Sequence, residues 1–260
     1  MRVFAPALVG LSLAFLVGSA SAQGTGERRL EAAFDVTARG IEAGEFTYSY
    51  VQTAQSYEAQ ARRRLTGLAR LAMGRSQDYT YSVRGAVAAN GALRPSAYQH
   101  QGGRRNRLVN AAFTAGDVVT TAEPHMGMGS PPATPAQRRG VIDQLTAIAS
   151  LITATGDPCT RTLNVYMDGR SRFDFVLAAN GEVNVDTRAY RGRAIRCSVQ
   201  FRPIAGFSDP QTAETLTFLF ARTPSGLYAP IRIEMPTDND QVGIVRLDAR
   251  QLAINGAALR

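Results

Sequence analysis

The 260-residue chain has no lysine, no tryptophan, two histidines and two cysteines. Each shortage removes chemistry. Without lysine there is no Schiff-base nucleophile, no Ser-x-x-Lys acylating pair and no Gly-Lys-Thr phosphate loop. His100 and His125 leave a serine nucleophile little choice of base, and no Gly-x-Ser-x-Gly elbow is present. Beyond the N-terminal segment no stretch approaches about 18 uninterrupted apolar residues, so no later helix is expected to span a bilayer. All 29 basic residues are consequently arginine, set against 21 acidic ones. With 45% hydrophobic and 19% charged residues and no long polar tract, the rest of the chain is expected to fold.

The first 22 residues read as an export signal. Arg2 precedes the apolar run Val3 to Val17, and Gly18-Ser19-Ala20-Ser21-Ala22 offers small residues at the −3 and −1 positions before Gln23. The run is shorter than the roughly 20 residues of a spanning helix. The expectation is a signal peptide over 1–22 and one β-rich periplasmic domain over 23–260. An outer-membrane barrel is disfavoured because arginines interrupt nearly every strand and the chain ends at Arg260 rather than on an aromatic residue. In an oxidising compartment Cys159 and Cys197, the only cysteines, are expected to form one disulfide. A loop of about 38 residues restrains the unfolded chain by roughly 4 kcal/mol.

Alternation of apolar and polar residues dominates the chain. Leu30, Ala32, Phe34 and Val36 alternate with Glu31, Ala33, Asp35 and Thr37. Phe46, Tyr48 and Tyr50 follow the Gly40–Gly44 turn, and Tyr57, Ala59 and Ala61 continue the pattern. Gly67–Gly74 suggests a short helical turn. Asn90-Gly91, Asp168-Gly169 and Asn180-Gly181 read as hairpin turns. One region differs. Thr134-Pro135-Ala136-Gln137 matches a capping box with proline at the first helical position, and Val141, Ile142, Leu145, Ile148, Leu151 and Ile152 recur at helical spacing. Gly140 divides this segment, with Asp143 capping the second piece. The pattern predicts an all-β domain: a single curved antiparallel sheet, barrel-like or spiral, with one amphipathic helix packed on it.

The order of several short landmarks resembles the family called domain of unknown function 3108, exported bacterial envelope proteins. Phe34-x-Val36 leads into Gly40-Ile41-x-Ala43-Gly44-Glu45. Leu65-Thr66-Gly67-Leu68, Ile142-Asp143-Gln144-Leu145-Thr146-Ala147 and Tyr166-Met167-Asp168-Gly169-x-x-x-Phe173-Asp174 follow in order. Cys197-x-Val199-x-Phe201-x-Pro203-Ile204-Ala205-Gly206-Phe207 and Ala229-Pro230-Ile231-Arg232-Ile233 complete the series, so the likeness runs from Phe34 to Leu247. Phe and Leu stand where relatives carry tryptophan, as in Leu216–Phe220. The resemblance implies a curved antiparallel sheet with a helix, and no catalytic residues.

Candidate sites are few. Glu182 with Asp186, and Glu31 with Asp35, share strand faces as a carboxylate pair would, although solvated positions explain both. His125-Met126-Gly127-Met128 offers imidazole and thioether to copper, but reads as loop composition, and no metal or other cofactor is expected. Three arginine clusters stand out: Arg62-Arg63-Arg64, Arg104-Arg105-x-Arg107, and Arg188, Arg191, Arg193 and Arg196. Arginine grips phosphate and carboxylate bidentately, so Arg62, Arg63, Arg64, Arg188, Arg191, Arg193 and Arg196 form a candidate patch for an anionic envelope ligand. Nucleic acid fits the charge but not the compartment. Tyr48, Tyr50, Tyr57, Tyr79 and Tyr81 mark a face able to line an apolar cavity. The expected function is a soluble, non-enzymatic periplasmic protein that supports envelope integrity by binding an envelope component or a periplasmic or outer-membrane protein. A carrier holding a lipid or acyl chain inside the sheet is the alternative, and an envelope hydrolase a weaker one.

Overall fold

The computed structural model describes residues 26–73, 78–237 and 242–259. The expected export signal, Gly74 and Arg260 lie outside them. Seven strands precede the helical region: β1 (Arg28–Ala38), β2 (Ile41–Gln52), β3 (Ser56–Leu65), β4 (Tyr79–Val87), β5 (Leu93–Gly102), β6 (Arg107–Phe113) and β7 (Val118–Glu123). A short helix α1 (Gly67–Met73) joins β3 to β4. Helices α2 (Pro135–Arg138) and α3 (Gln144–Ile152) follow β7. The second run is β8 (Thr162–Met167), β9 (Ser171–Asp186), β10 (Arg191–Ala205), β11 (Glu214–Arg222), β12 (Tyr228–Pro236), β13 (Ile244–Ile254) and β14 (Ala257–Ala258).

All fourteen strands belong to one antiparallel sheet in the order β7-β6-β5-β4-β3-β2-β1-β13-β12-β11-β10-β9-β8, with β14 on β13. Two meanders run outward from the middle, where β1 zips against β13 from Leu30↔Ile254 to Ala38↔Val245. Strands β7 and β8 are consecutive in the chain yet occupy opposite ends of the strand path, and the backbone ladder does not close between them. Side chains nonetheless meet there. Tyr98 Oη of β5 donates to Asp168 Oδ1 in the β8–β9 turn (3.3 Å). A Cβ added to Gly169 would lie 2.7 Å from Thr120 of β7.

Strand pleating explains which residues are buried. On β3, Tyr57, Ala59 and Ala61 are buried while Ser56, Glu58, Gln60 and Arg62 are exposed, the two-residue period of a half-buried strand. The buried side chains form two hydrophobic cores. Phe34, Tyr48, Tyr50, Tyr57, Leu145 and Ile152 belong to one, and Cys159, Phe173, Cys197, Val199 and Phe218 to the other. Cys159 and Cys197 are disulfide-bonded inside the second, with Cα atoms 5.2 Å apart.

Helix α3 divides the two cores. Leu145, Ala149 and Ile152 face the first, and Ala147 and Leu151 the second. No residue of α3 is exposed, so it is enclosed between two cores rather than laid on the sheet by one apolar face. The segment also comprises two short helices. The capping box between Thr134 and Gln137 opens α2, and Asp143 caps α3. Asp168 and Gly169, both at positive φ, turn β8 into β9 as expected. Asn180-Gly181 does something else: β9 runs straight through it. The pair forms a bulge opposite Arg196, between the Cys197↔Ala179 and Ile195↔Glu182 pairings. Gly181 at φ +72° meets the positive-φ demand of a bulge as well as that of a turn. Asn90-Gly91 sits in a five-residue connection closed by Ala88 N to Ala92 O (2.9 Å), not in a two-residue turn.

Candidate binding groove

On the inner face, hydroxyls tie the sheet to α3. Tyr48 Oη donates to the Leu145 carbonyl (3.2 Å), and Tyr57 Oη pairs with Thr146 Oγ1 (2.7 Å). Asp143 caps the helix by accepting from the Leu145 and Thr146 amides (2.9 and 3.1 Å) and from Thr146 Oγ1. Complete burial lifts the Asp143 carboxyl to about 6, against the pull of those hydrogen bonds. Burial likewise raises the phenols of Tyr48 and Tyr57. The ground in front of Tyr48 and Tyr57, read in the sequence as a ligand wall, holds α3. Tyr79 and Tyr81 stack on each other at 5.9 Å, beside His100.

His100 is buried. Its Nδ1 lies 3.2 Å from Tyr98 Oη and 3.8 Å from Asp168 Oδ1, and desolvation lowers its pKa. Gln144 Nε2 donates to both Tyr98 Oη and Asp168 Oδ1. This cluster joins β5, α3 and the β8–β9 turn, and its proximity to Asp168 was not visible in sequence because 68 residues separate the two. His125 is exposed, and its carbonyl accepts from Arg107 Nη2 (3.2 Å). Met126 is buried, and the described residues contain no group of three His, Cys, Asp or Glu suited to a metal.

The opposite, outer face carries a chain of recesses. The first, about 550 Å³, lies over β4, β3, β2, β1 and β13 and is lined by Glu31, Ala33, Thr47, Ser49, Gln60, Arg62, Thr80 and Gln251. The second, about 400 Å³, shares Gln60 and continues over β5 and β6 with Glu58, Ser82, Arg84, Ala97, Gln99, Asn110 and Ala112. A third, about 490 Å³, shares Gln251, Leu252 and Ala258 with the first and extends to Arg188, Tyr190 and Arg191 in the β9–β10 turn. A fourth, about 500 Å³, shares Asp186, Thr187 and Arg188 with the third and reaches Asp35, Arg232 and Asp248. Short side chains form the floor because Ala33, Ser49, Ser82, Ala97 and Ala112 occupy alternate outward positions on adjacent strands.

Pairing register sets the charge at one end of this groove. Glu45, Asp35 and Asp248 stand side by side on β2, β1 and β13, an arrangement that is repulsive on its own. Arg250 bridges Asp35 (3.2 Å) and Glu45 (2.9 Å), Arg188 reaches Asp35 (3.4 Å), and Arg232 holds Asp248. Both carboxylate partners raise the Arg250 pKa, the hydrogen bond to Glu45 contributing most.

The arginine patch is divided by the pleat and the hairpin. Arg62 lines the first recess, while Arg63 points to the opposite face and lies 4.6 Å over the Tyr79 ring. Arg64 is registered beside Glu45. Arg188 and Arg191 line the third recess, the latter bound to Asp186 (2.7 Å). Arg193 pairs with Glu182, and Arg196 donates to the Asn180 carbonyl (2.9 Å). The structure therefore gathers Arg62, Arg188 and Arg191 on one connected groove and leaves Arg63, Arg193 and Arg196 outside it. Arg84, Gln60, Gln99 and Asn110 are the groove residues the sequence did not single out. Their signal was the run of short and amide side chains at outward positions on successive strands.

The family profile described as "Protein of unknown function (DUF3108)" matches residues 33–249. The chain belongs to this family. Every groove residue just named lies within the matched DUF3108 region except Glu31, Arg250, Gln251, Leu252 and Ala258. No curated protein matches the chain. Among solved structures, the crystal structure of a "putative lipoprotein" from Parabacteroides distasonis ATCC 8503 aligns over 89% of this chain and 96% of its own, at 12% identity and a TM-score of 0.26.

Proposed function

We propose that this DUF3108 protein is an exported, non-enzymatic binding protein of the bacterial envelope, soluble in the periplasm after loss of residues 1–22. Its outer groove engages an envelope component or partner protein and so supports envelope integrity. The observation that carries this reading is the continuity of the four recesses, linked in turn by Gln60, by Gln251 and by Asp186 to Arg188. A barrel-like curvature of the sheet is part of the proposal. Its support is that α3, nine residues long, contacts β3, β4 and β5 as well as β8 and β12. Strands β5 and β12 are six steps apart, roughly 29 Å in a flat sheet, about twice the length of the helix.

The non-enzymatic reading rests on where reactive groups lie. Cys159 and Cys197 are joined, and His100 neighbours tyrosines and Asp168 rather than a serine. Glu182 and Asp186 each bind an arginine. A carrier of lipid inside the sheet would require α3 to leave Tyr48 and Tyr57.

The test is complementation. A strain lacking the protein should lose resistance to detergent and cell-wall stress. Wild-type protein should restore it, and Gln60→Trp, which fills the junction of two recesses at an exposed position, should not. Full rescue by a folded Gln60→Trp protein would overturn the groove as the working site.

A further inference from the structure

The outward positions of β2 to β6 over the first two recesses hold short or polar side chains, and Tyr48, Tyr81, Val83 and Tyr98 border the recesses from positions whose rings and methyls pack in the core. Thr47, Ser49, Thr80 and Ser82 supply hydroxyls, and Gln60, Gln99 and Asn110 supply planar amides. Gln99 Nε2 already donates to Asn110 Oδ1 (2.8 Å), which fixes one amide pair in the floor. Arg62 and Arg84 have no ion-pair partner among the described residues. Glu58 stands opposite Arg84 in register without forming an ion pair, and Glu31 has Arg29 at 3.9 Å. The two recesses therefore keep uncommitted guanidinium groups above a floor of alanines, hydroxyls and amides.

Three classes of occupant fit this lining poorly. The core of a protein interface is rich in aromatic and large apolar anchors. None projects into these two recesses, since Tyr48, Tyr81, Val83 and Tyr98 point to the inner face, and the exposed large hydrophobics Ile41, Leu71, Val119, Ile204 and Ile244 line neither. An acyl chain would find an open floor of alanines interrupted by hydroxyls and amides rather than an enclosing apolar wall. A nucleic-acid strand would find no outward aromatic ring on which to stack its bases. A chain of hydroxyls suits the lining, because amides and guanidinium groups pair with adjacent oxygens in a plane.

We propose that the recesses over β2 to β6 bind a glycan strand bearing carboxylate groups, laid across the strands, with Arg62 and Arg84 gripping carboxylates while Gln60, Gln99 and Asn110 bond sugar hydroxyls. This rests on the groove being the working site. The groove runs across the strands, so consecutive sugars meet consecutive strands at a spacing of about 4.8 Å.

Titration calorimetry of the chain from Gln23 onward tests it, with linear oligogalacturonate as the acidic probe and dextran as the neutral one. Oligogalacturonate should bind, and dextran should bind at least about tenfold more weakly. The Arg62→Ala/Arg84→Ala protein should lose at least about tenfold in affinity, the worth of one charge-assisted hydrogen bond, with unchanged melting temperature. Gln99→Ala, which leaves both arginines, should weaken both probes. Equal affinity for the two probes, an unaffected double variant, or no binding to millimolar concentration would overturn the inference. Any of these, combined with failure of Gln60→Trp to complement, leaves the groove in use by another ligand. Full complementation by Gln60→Trp removes the groove reading itself.

Discussion

At the scale of single residues, the most consequential group is one the groove does not use. Asp143 is fully buried, and its carboxyl titrates near 6 in the folded chain against an ordinary value of 3.8. A carboxyl raised on folding stabilises most below its unfolded pKa, and that stabilisation disappears as pH rises through the folded value. Between pH 4 and pH 7 the folded state should therefore lose roughly 2 kcal/mol through Asp143 alone. Asp143→Asn keeps an acceptor for the Leu145 and Thr146 amides but cannot ionise. Urea denaturation across that range should show the fall in wild type and its absence in the variant, and equal slopes in both would refute the assignment. His100 works in the other direction. Its lowered pKa gives a contribution present above the unfolded value and lost on acidification, so His100→Gln should flatten the decline on the acid side. The sequence disclosed Asp143 as a cap through the spacing of Gly140 and the helical pattern after it. It did not disclose burial, which comes from β2, β3 and β5, the strands that bring Tyr48, Tyr57 and Tyr98 to Asp143.

At the scale of elements, local chemistry was readable wherever one turn or cap decides the outcome. Asp168-Gly169, the Thr134 capping box and the alternation on β3 all formed as their residue types dictate. Asn180-Gly181 did not, because the same positive-φ glycine serves a turn or a bulge, and the choice lies with β10, whose fifteen residues pair along the whole of β9. Two glycines separate conformational strain from steric crowding. Gly181 has nothing within 4 Å of an added Cβ, whereas Gly85 would meet the Arg94 carbonyl at 2.2 Å and Tyr57 Cε1 at 2.6 Å. Gly181→Ala should cost about 1 kcal/mol and Gly85→Ala about 3 kcal/mol or more in unfolding free energy. The reverse order would contradict the register. Removing the buried disulfide with Cys159→Ser/Cys197→Ser should lower stability by roughly 2–5 kcal/mol, read from urea midpoints with and without reductant. A variant as stable as the oxidised wild type would show that the link is dispensable.

At the scale of the whole molecule, the all-β class was legible because alternation is a property of each strand by itself. Strand order was not. The pairing of β1 with β13 joins residues more than 200 positions apart and depends on which outward faces complement each other. The candidate site was half legible for the same reason. Arginine runs are conspicuous in sequence, but the pleat sends Arg62 and Arg63 to opposite faces, and the hairpin pairs Arg191 and Arg193 internally. The groove is built instead from inconspicuous residues, Gln60, Ser82, Gln99 and Asn110, that become a site only when β2 to β6 align. Its role is tested most directly by a photo-crosslinking residue placed at Gln60 in the protein's own cells, with one at Arg196, outside the groove, as reference. A specific adduct with an envelope component from Gln60 and none from Arg196 is the predicted result. An adduct from Arg196 with none from Gln60 would contradict the account.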